Sequence, residues 1–192
     1  MRSSLRFYFF ISSLFLATLG VSTAAQAVGG GGDYDISTGL SFNRVQYAAN
    51  SYSWTRRWGG SVGINFSASS GIELSLQDLT ERTYIPGYED TTFHDQVMSV
   101  NWVQQLIGRG HALQPYVKVG VGQLNREGSG TYANGTGPGA SGSLTAVTGL
   151  GMRVYLTRSF AIRTEATSYL TGGNIQTWRD NVGVTFGTSL SF

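Results

Sequence analysis

From about Tyr34 to Phe192 the chain alternates apolar residues with small polar ones, and a period of two is the signature of β-strand. The final run shows it best, with Val182, Val184, Phe186, Leu190 and Phe192 on one face and Asn181, Gly183, Thr185, Gly187, Ser189 and Ser191 on the other. Only 12% of the residues are charged, against about 25% in ordinary globular chains. So few charges cannot cover a water-facing surface. The pattern therefore predicts an all-β fold, an eight-stranded antiparallel up-and-down transmembrane β-barrel whose outside faces lipid.

The first residues bear on the compartment. Arg2 and Arg6 precede an apolar run from Phe7 to Val21, and Ala25-Gln26-Ala27 offers small residues for cleavage, so residues 1–27 read as a secretory signal peptide and 28–192 as the barrel domain. The run is shorter than the roughly 20 residues a spanning helix needs. Its removal takes two of the 13 basic residues and leaves the rest equal in number to the 11 acidic ones. The basic balance thus belongs to the precursor and gives no argument for nucleic acid as a partner. The absence of cysteine excludes disulfides, thiolate metal sites, a cysteine nucleophile and a lipid-bearing cysteine.

Eight alternating segments lie near 34–47, 58–68, 72–84, 96–107, 113–124, 143–155, 160–170 and 181–192. Connections near Ser69–Gly71, Gly108–Ala112 and Thr157–Ser159 are short. Those centred on Asn50–Trp54, Gly87–Phe93, Gly128–Gly142 and Thr171–Ile175 are longer and polar. Strict alternation of short and long is the asymmetry of outer-membrane barrels, with short periplasmic turns and longer outer loops. Both chain ends are then expected on the periplasmic side. The glycine-rich stretch Gly128–Gly137 reads as a mobile tip, and without a following Lys-Ser/Thr and a helix pattern it is no phosphate-binding loop.

The polar face decides which side is outside. Glycine and serine dominate it: Ser61, Gly63, Asn65 and Ser67 in the second segment, Gly120 and Gly122 beside Tyr116 and Lys118 in the fifth. A water-exposed wall favours lysine and glutamate, yet Lys118 is the only lysine in the chain. The strand charges Glu73, Lys118, Arg153, Arg163 and Glu165 all take the phase opposite the apolar set. Turned to lipid they would together cost on the order of 10 kcal/mol. Turned inward, they form a mixed-sign network, read as a brace in a barrel only wide enough for its own side chains.

Aromatics fall where strands leave the lipid: Tyr47, Trp54, Trp58, Tyr84, Phe93, Tyr169 and Trp178 toward the loops, Phe160 and Phe192 toward the turns. Arg56 and Arg57 beside Trp58, together with Trp178, read as interface anchors within reach of lipid phosphates. Gln104 breaks the pattern of the fourth segment by falling in the lipid phase. It implies either a bulge or a place at the headgroups.

With Gln114-Pro115-Tyr116-Val117-Lys118-Val119-Gly120-Val121-Gly122, Gly149-Leu150-Gly151-Met152-Arg153-Val154-Tyr155-Leu156 and the terminal Phe192, the chain resembles the small outer-membrane β-barrel proteins that include the OmpA membrane domain and the OmpX-like and OmpW-like barrels. The resemblance implies an outer-membrane location. It also implies a role for Phe192, Leu190 and Phe186 as the signal read by the barrel-assembly machinery. Such barrels serve as structural proteins, adhesins, small-solute channels or lipid-modifying enzymes, and fold alone does not choose among them.

The catalytic reading has little to stand on. Of the two histidines, His111 lies in a short turn beside Arg109, and His94 lies in a long connection among Glu89, Asp90 and Asp95, with Ser51 or Ser53 as a nominal nucleophile. The same acids with His94 are a weak candidate for calcium. Neither carries a motif, so no catalytic, metal or cofactor residue is assigned. The sequence favours a monomeric structural or surface-interaction protein presenting four outer loops, in contact with outer-membrane lipid and lipopolysaccharide. A narrow channel for small polar or hydrophobic solutes is the alternative, and a lipid-A-modifying enzyme a more distant one.

Overall fold

The computed structural model describes residues 33–48, 50–132, 134–171 and 182–192. They form eight strands: β1 (Tyr34–Ala48), β2 (Ser51–Asn65), β3 (Ser70–Ile85), β4 (Glu89–Gln105), β5 (Leu113–Tyr132), β6 (Ser141–Tyr155), β7 (Phe160–Thr171) and β8 (Val182–Ser191). Each is antiparallel to its neighbours, and β8 pairs with β1 to close the barrel. Closure matters because hydrocarbon offers no partner to a free strand edge. The expected signal peptide and Trp178 lie outside the described residues, as does Asn181.

The register lines the alternating residues into rungs. Ile36, Val62, Leu74, Val100, Val121, Ala146 and Leu170 are consecutive partners across seven strands, all on the outer face. Outward apolar side chains are bare, Val121 to 67% and Leu144 to 81%, a surface that water would penalise and lipid does not. Phe192 completes the closure: its N–H donates to Tyr34 O at 3.1 Å, Tyr34 N–H donates to Phe192 O at 3.0 Å, and the two rings stack at 6.1 Å.

At one end the connections are short, spanning 66–69, 106–112 and 156–159. Side chains cap two of them, with Ser70 N–H donating to Ser67 Oγ at 2.9 Å and Phe160 N–H to Thr157 Oγ1 at 3.0 Å. At the other end the strands run further than the sequence implied. Ser51–Trp54 belongs to β2, Glu89–Phe93 to β4 and Gly128–Tyr132 to β5, so the first connection shrinks to 49–50 and the second to Pro86-Gly87-Tyr88. Gly87 turns that corner with φ +74°. The Gly128–Gly137 stretch is therefore half strand. Beyond the apolar belt polar residues such as Arg44, Arg56, Arg82, His94 and Glu127 join Tyr52, Trp54 and Tyr84 on the outer face, so contrast between faces fades while backbone pairing continues.

Gln104 needs no bulge. The β3–β4 register runs unbroken from Ser70↔Gln104 to Ile85↔Glu89, and Ser70 Oγ donates to Gln104 Oε1 at 2.8 Å at the turn end. The register shift lies instead between Gln46 and Ala48 in β1.

Candidate functional site: the charged lumen

Inward positions on β3, β5 and β7 bring four charges to the barrel's centre. Lys118 Nζ lies 3.3 Å from Glu73 Oε1 and also pairs with Glu165 Oε1; Arg163 Nη1 lies 2.8 Å from Glu73 Oε2, and its Nη2 pairs with Glu165 Oε2. Each cation thus holds both carboxylates, closing a neutral ring that ties three non-adjacent strands together. All four are at least nine-tenths buried. Desolvating them is costly, and the arrangement survives only because the spare lone pairs are also met. Tyr116 donates to Glu165 Oε2 at 2.6 Å and accepts from Arg163 Nε at 2.7 Å, while Thr167 Oγ1 donates to Glu165 Oε1 at 2.6 Å.

Arg153, which the sequence grouped with these residues, pairs elsewhere. Its Nη2 lies 2.5 Å from Asp35 Oδ2, nearer the turn end. Tyr116 links the two groups, since Arg153 and Arg163 both stack on its ring, with Cζ 5.1 and 5.2 Å from the centroid. The fully buried ring lies over Gly151, where any Cβ would collide with it. Gly151→Val is therefore expected to displace Tyr116 and cost about 1–3 kcal/mol, the usual range for overpacking. Urea unfolding of the refolded barrel measures it, and unchanged stability would contradict the packing.

Toward the hairpin end the lumen is again filled. Val97, Val147 and Tyr169 form an apolar cluster with Leu124, and Tyr169 OH donates to Gln77 Oε1. Above it Asp95 receives Arg126 through two hydrogen bonds, Nε to Oδ1 at 2.7 Å and Nη2 to Oδ2 at 2.6 Å, with the guanidinium over Phe93 at 5.2 Å. A cavity of about 30 Å³ remains beside the ion ring, bordered by Ser37, Gly39, Gly59, Ser61, Thr185 and Gly187.

Three expected positions are corrected. Arg57, read as a lipid-phosphate anchor, is buried in the lumen with its guanidinium 5.7 Å from the Tyr169 ring centroid; odd positions of β2 face inward, so only Arg56 and Trp58 remain outside. Phe93 and Tyr169, expected in the aromatic girdle, also take the inward phase. Phe186, Leu190 and Phe192 are exposed on the outer wall or half so, with Phe186 opposite Leu40 and Leu190 opposite Ile36.

The strand phase also separates the groups considered for chemistry. Asp90 and His94 face outward, His94 Nδ1 meeting Thr80 Oγ1 at 3.2 Å, while Glu89 and Asp95 face inward. Ser53 is inward as well, within 3.4 Å of the Thr83 hydroxyl. His111, in the 106–112 turn, has Nδ1 3.1 Å from the Gly108 carbonyl oxygen. Asp35, Tyr116 and the Asp95–Arg126 pair were missed as site residues. Phase alone would have flagged all of them, since each shares the parity of the inward small residues on its strand.

An apolar outer wall, a closed strand ladder and charges neutralised within define an integral barrel of the outer-membrane class. The chain belongs to the family described as "Outer membrane protein beta-barrel domain", which it matches over residues 13–191, and its place is the outer membrane. Among solved structures, the N-terminal β-barrel domain of Pseudomonas aeruginosa OprF is similar with TM-score 0.56 at 17% identity, covering 84% of this chain and 99% of that one. Ail of Yersinia pestis gives 0.49 at 15% identity (84% and 99% covered), and Neisserial surface protein A 0.47 at 11% identity (88% and 100% covered). The likeness to the OprF barrel speaks to fold alone. No curated protein is similar enough in sequence to count as a relative.

Proposed function

We propose that the protein is a structural or surface-interaction component of the outer membrane, a monomeric barrel that presents its hairpins outside the cell and performs no chemistry. The observation that carries this reading is the occupied lumen: from the turn end, Tyr116, ion ring and apolar cluster take successive levels, while β3, β4 and β5 continue past the apolar belt. In this reading Glu73, Lys118, Arg163 and Glu165 brace the wall, with Arg153 and Asp35 as a second tie. Arg56 and Trp58 anchor the rim at lipopolysaccharide phosphates. Phe186, Leu190 and Phe192 are the signal read by the barrel-assembly machinery, so deleting Phe192 is expected to lower assembly yield in cells, and normal insertion would count against that role. The hairpin end is the outer side, and a secretory signal peptide delivers the chain.

Vesicles bearing the refolded barrel test the reading. Sugar-sized solutes are expected to enter no faster than into empty vesicles, whereas influx rising with protein content would make the protein a channel. A second reading, a narrow channel, draws support from the cavity of about 30 Å³ beside the ion ring.

A further inference from the structure

The outer face changes character where β1 and β2 leave the apolar belt. On β1 the outward residues run Tyr34, Ile36, Thr38, Leu40 and Phe42, and then Arg44. Phe42 lies eight residues beyond Tyr34, about 26 Å along a strand, which at the usual tilt spans most of an apolar band about 25 Å tall. Arg56 is the partner of Phe42, and Trp54 is the partner of Arg44. The two arginines therefore stand diagonally on adjoining strands, at the level where the hydrocarbon ends.

Both are exposed, and among the described residues neither makes an ion pair. Arg82, the outward arginine of β3, is already answered by Asp90 at 3.2 Å. Asp78, opposite Trp58 on β3, pairs with neither Arg44 nor Arg56. On the same rung as Arg56, β4 and β5 present His94 and Glu127. Unpaired positive charge on this rim is thus concentrated on β1 and β2.

Aromatic rings brace the pair. Arg44 Cζ lies 5.0 Å from the Tyr52 ring centroid, and Tyr52 lies against Tyr84 at 5.6 Å. Phe42 stacks on Trp54 at 6.4 Å, along the other diagonal of the same four residues. A guanidinium held on a ring loses less freedom when it takes an anion than a free side chain would. Toward the turns, Leu40 and Phe42 are each 65% exposed, with Phe186 opposite Leu40 on β8. A cationic pair thus tops an apolar strip.

Resting on the surface reading, with the hairpin end outside, we propose that this face of β1 and β2 docks one lipopolysaccharide molecule. A phosphate of its lipid A lies between Arg44 and Arg56, and its acyl chains follow Leu40, Phe42 and Phe186 into the membrane. Arginine suits the task because its planar fork donates two parallel hydrogen bonds to phosphate oxygens.

Native mass spectrometry of the refolded mature protein in neutral detergent, titrated with bisphosphorylated lipid A, counts the bound lipid and gives its affinity. Tryptophan fluorescence checks that each variant is folded. Wild type is expected to hold one lipid A. Arg44→Gln and Arg56→Gln are each expected to weaken binding about five-fold, and together about 25-fold, the effect of one basic residue apiece at an anionic surface. Lipid A stripped of its phosphates is expected to bind wild type and the double variant alike. Arg158→Gln, at an exposed arginine in the 156–159 turn, is expected to bind as wild type does. Equal binding by wild type and the double variant overturns the site, as does an equal loss in Arg158→Gln. Sidedness is read separately on intact cells, where Tyr88→Cys, in the exposed connection between β3 and β4, is expected to react with a membrane-impermeant maleimide. Labelling only after the outer membrane is breached overturns the surface reading and the site together. Labelling of intact cells with no loss of binding in the double variant overturns the site alone.

Discussion

Replacing Glu165 by alanine is expected to destabilise the folded barrel by about 3–5 kcal/mol, the range seen when one partner of a buried ion pair is removed. Glu165 answers two cations, the Tyr116 hydroxyl and the Thr167 hydroxyl. Its loss leaves Lys118 and Arg163 sharing Glu73 alone, one uncompensated charge among side chains at least nine-tenths buried. Against a total stability of about 5–15 kcal/mol the loss is large. The double variant Glu165→Ala/Lys118→Met should cost less than the two single variants summed, because Arg163 and Glu73 then remain as a neutral pair at 2.8 Å. Denaturant unfolding in lipid vesicles, read by tryptophan fluorescence, measures all three. A loss below about 1 kcal/mol for Glu165→Ala would mean that the ring contributes nothing net to stability.

The second large effect concerns the outer wall. Val100 lies on the apolar rung between Leu74 and Val121, and Val100→Arg is expected to cost about 2–4 kcal/mol, the penalty for arginine facing lipid near the midplane. Glu127→Arg supplies the contrast. Glu127 is exposed on the outer face of β5 opposite His94, beyond the belt, and the same side chain there should cost about 0–1 kcal/mol. Equal costs at both positions would contradict the boundary drawn between belt and hairpins.

How much was legible in the sequence follows from where contrast between faces survives. Within the belt, lipid demands apolar side chains and the narrow lumen demands small or paired ones, so Val62, Ile64, Ser61 and Gly63 announce both the strand and its orientation. Beyond the belt polar residues stand on both faces among scattered aromatics. The strand pairing of Ser51–Trp54 and Glu89–Phe93 was invisible for that reason, and these residues read as loops.

Arg57 shows a different limit. Next to Arg56 and Trp58 it looked like an anchor, since a sequence window shows composition more readily than parity; one residue of shift moves a side chain through the wall. Phase placed Glu73, Lys118, Arg163 and Glu165 inside, but their partners depend on which strands face each other across the lumen. That is why Arg153 was grouped with them although it pairs with Asp35. Asp35, near the start of β1, has its partner more than a hundred residues away, and only closure of β1 on β8 brings the two ends of the sheet together.

The chain has no native cysteine, so single cysteines carrying a small fluorophore can be placed one at a time at Val62, Leu74, Val100, Val121, Leu150 and Val184 around the wall, with Arg82 and Glu127 as hairpin controls. Quenching by brominated lipid is the measurement that tests the lipid-facing barrel most directly. All six wall positions should be quenched and both controls should stay bright. A wall position that remains bright in brominated lipid, or is quenched by aqueous iodide instead, would contradict the assignment of the apolar face to the membrane.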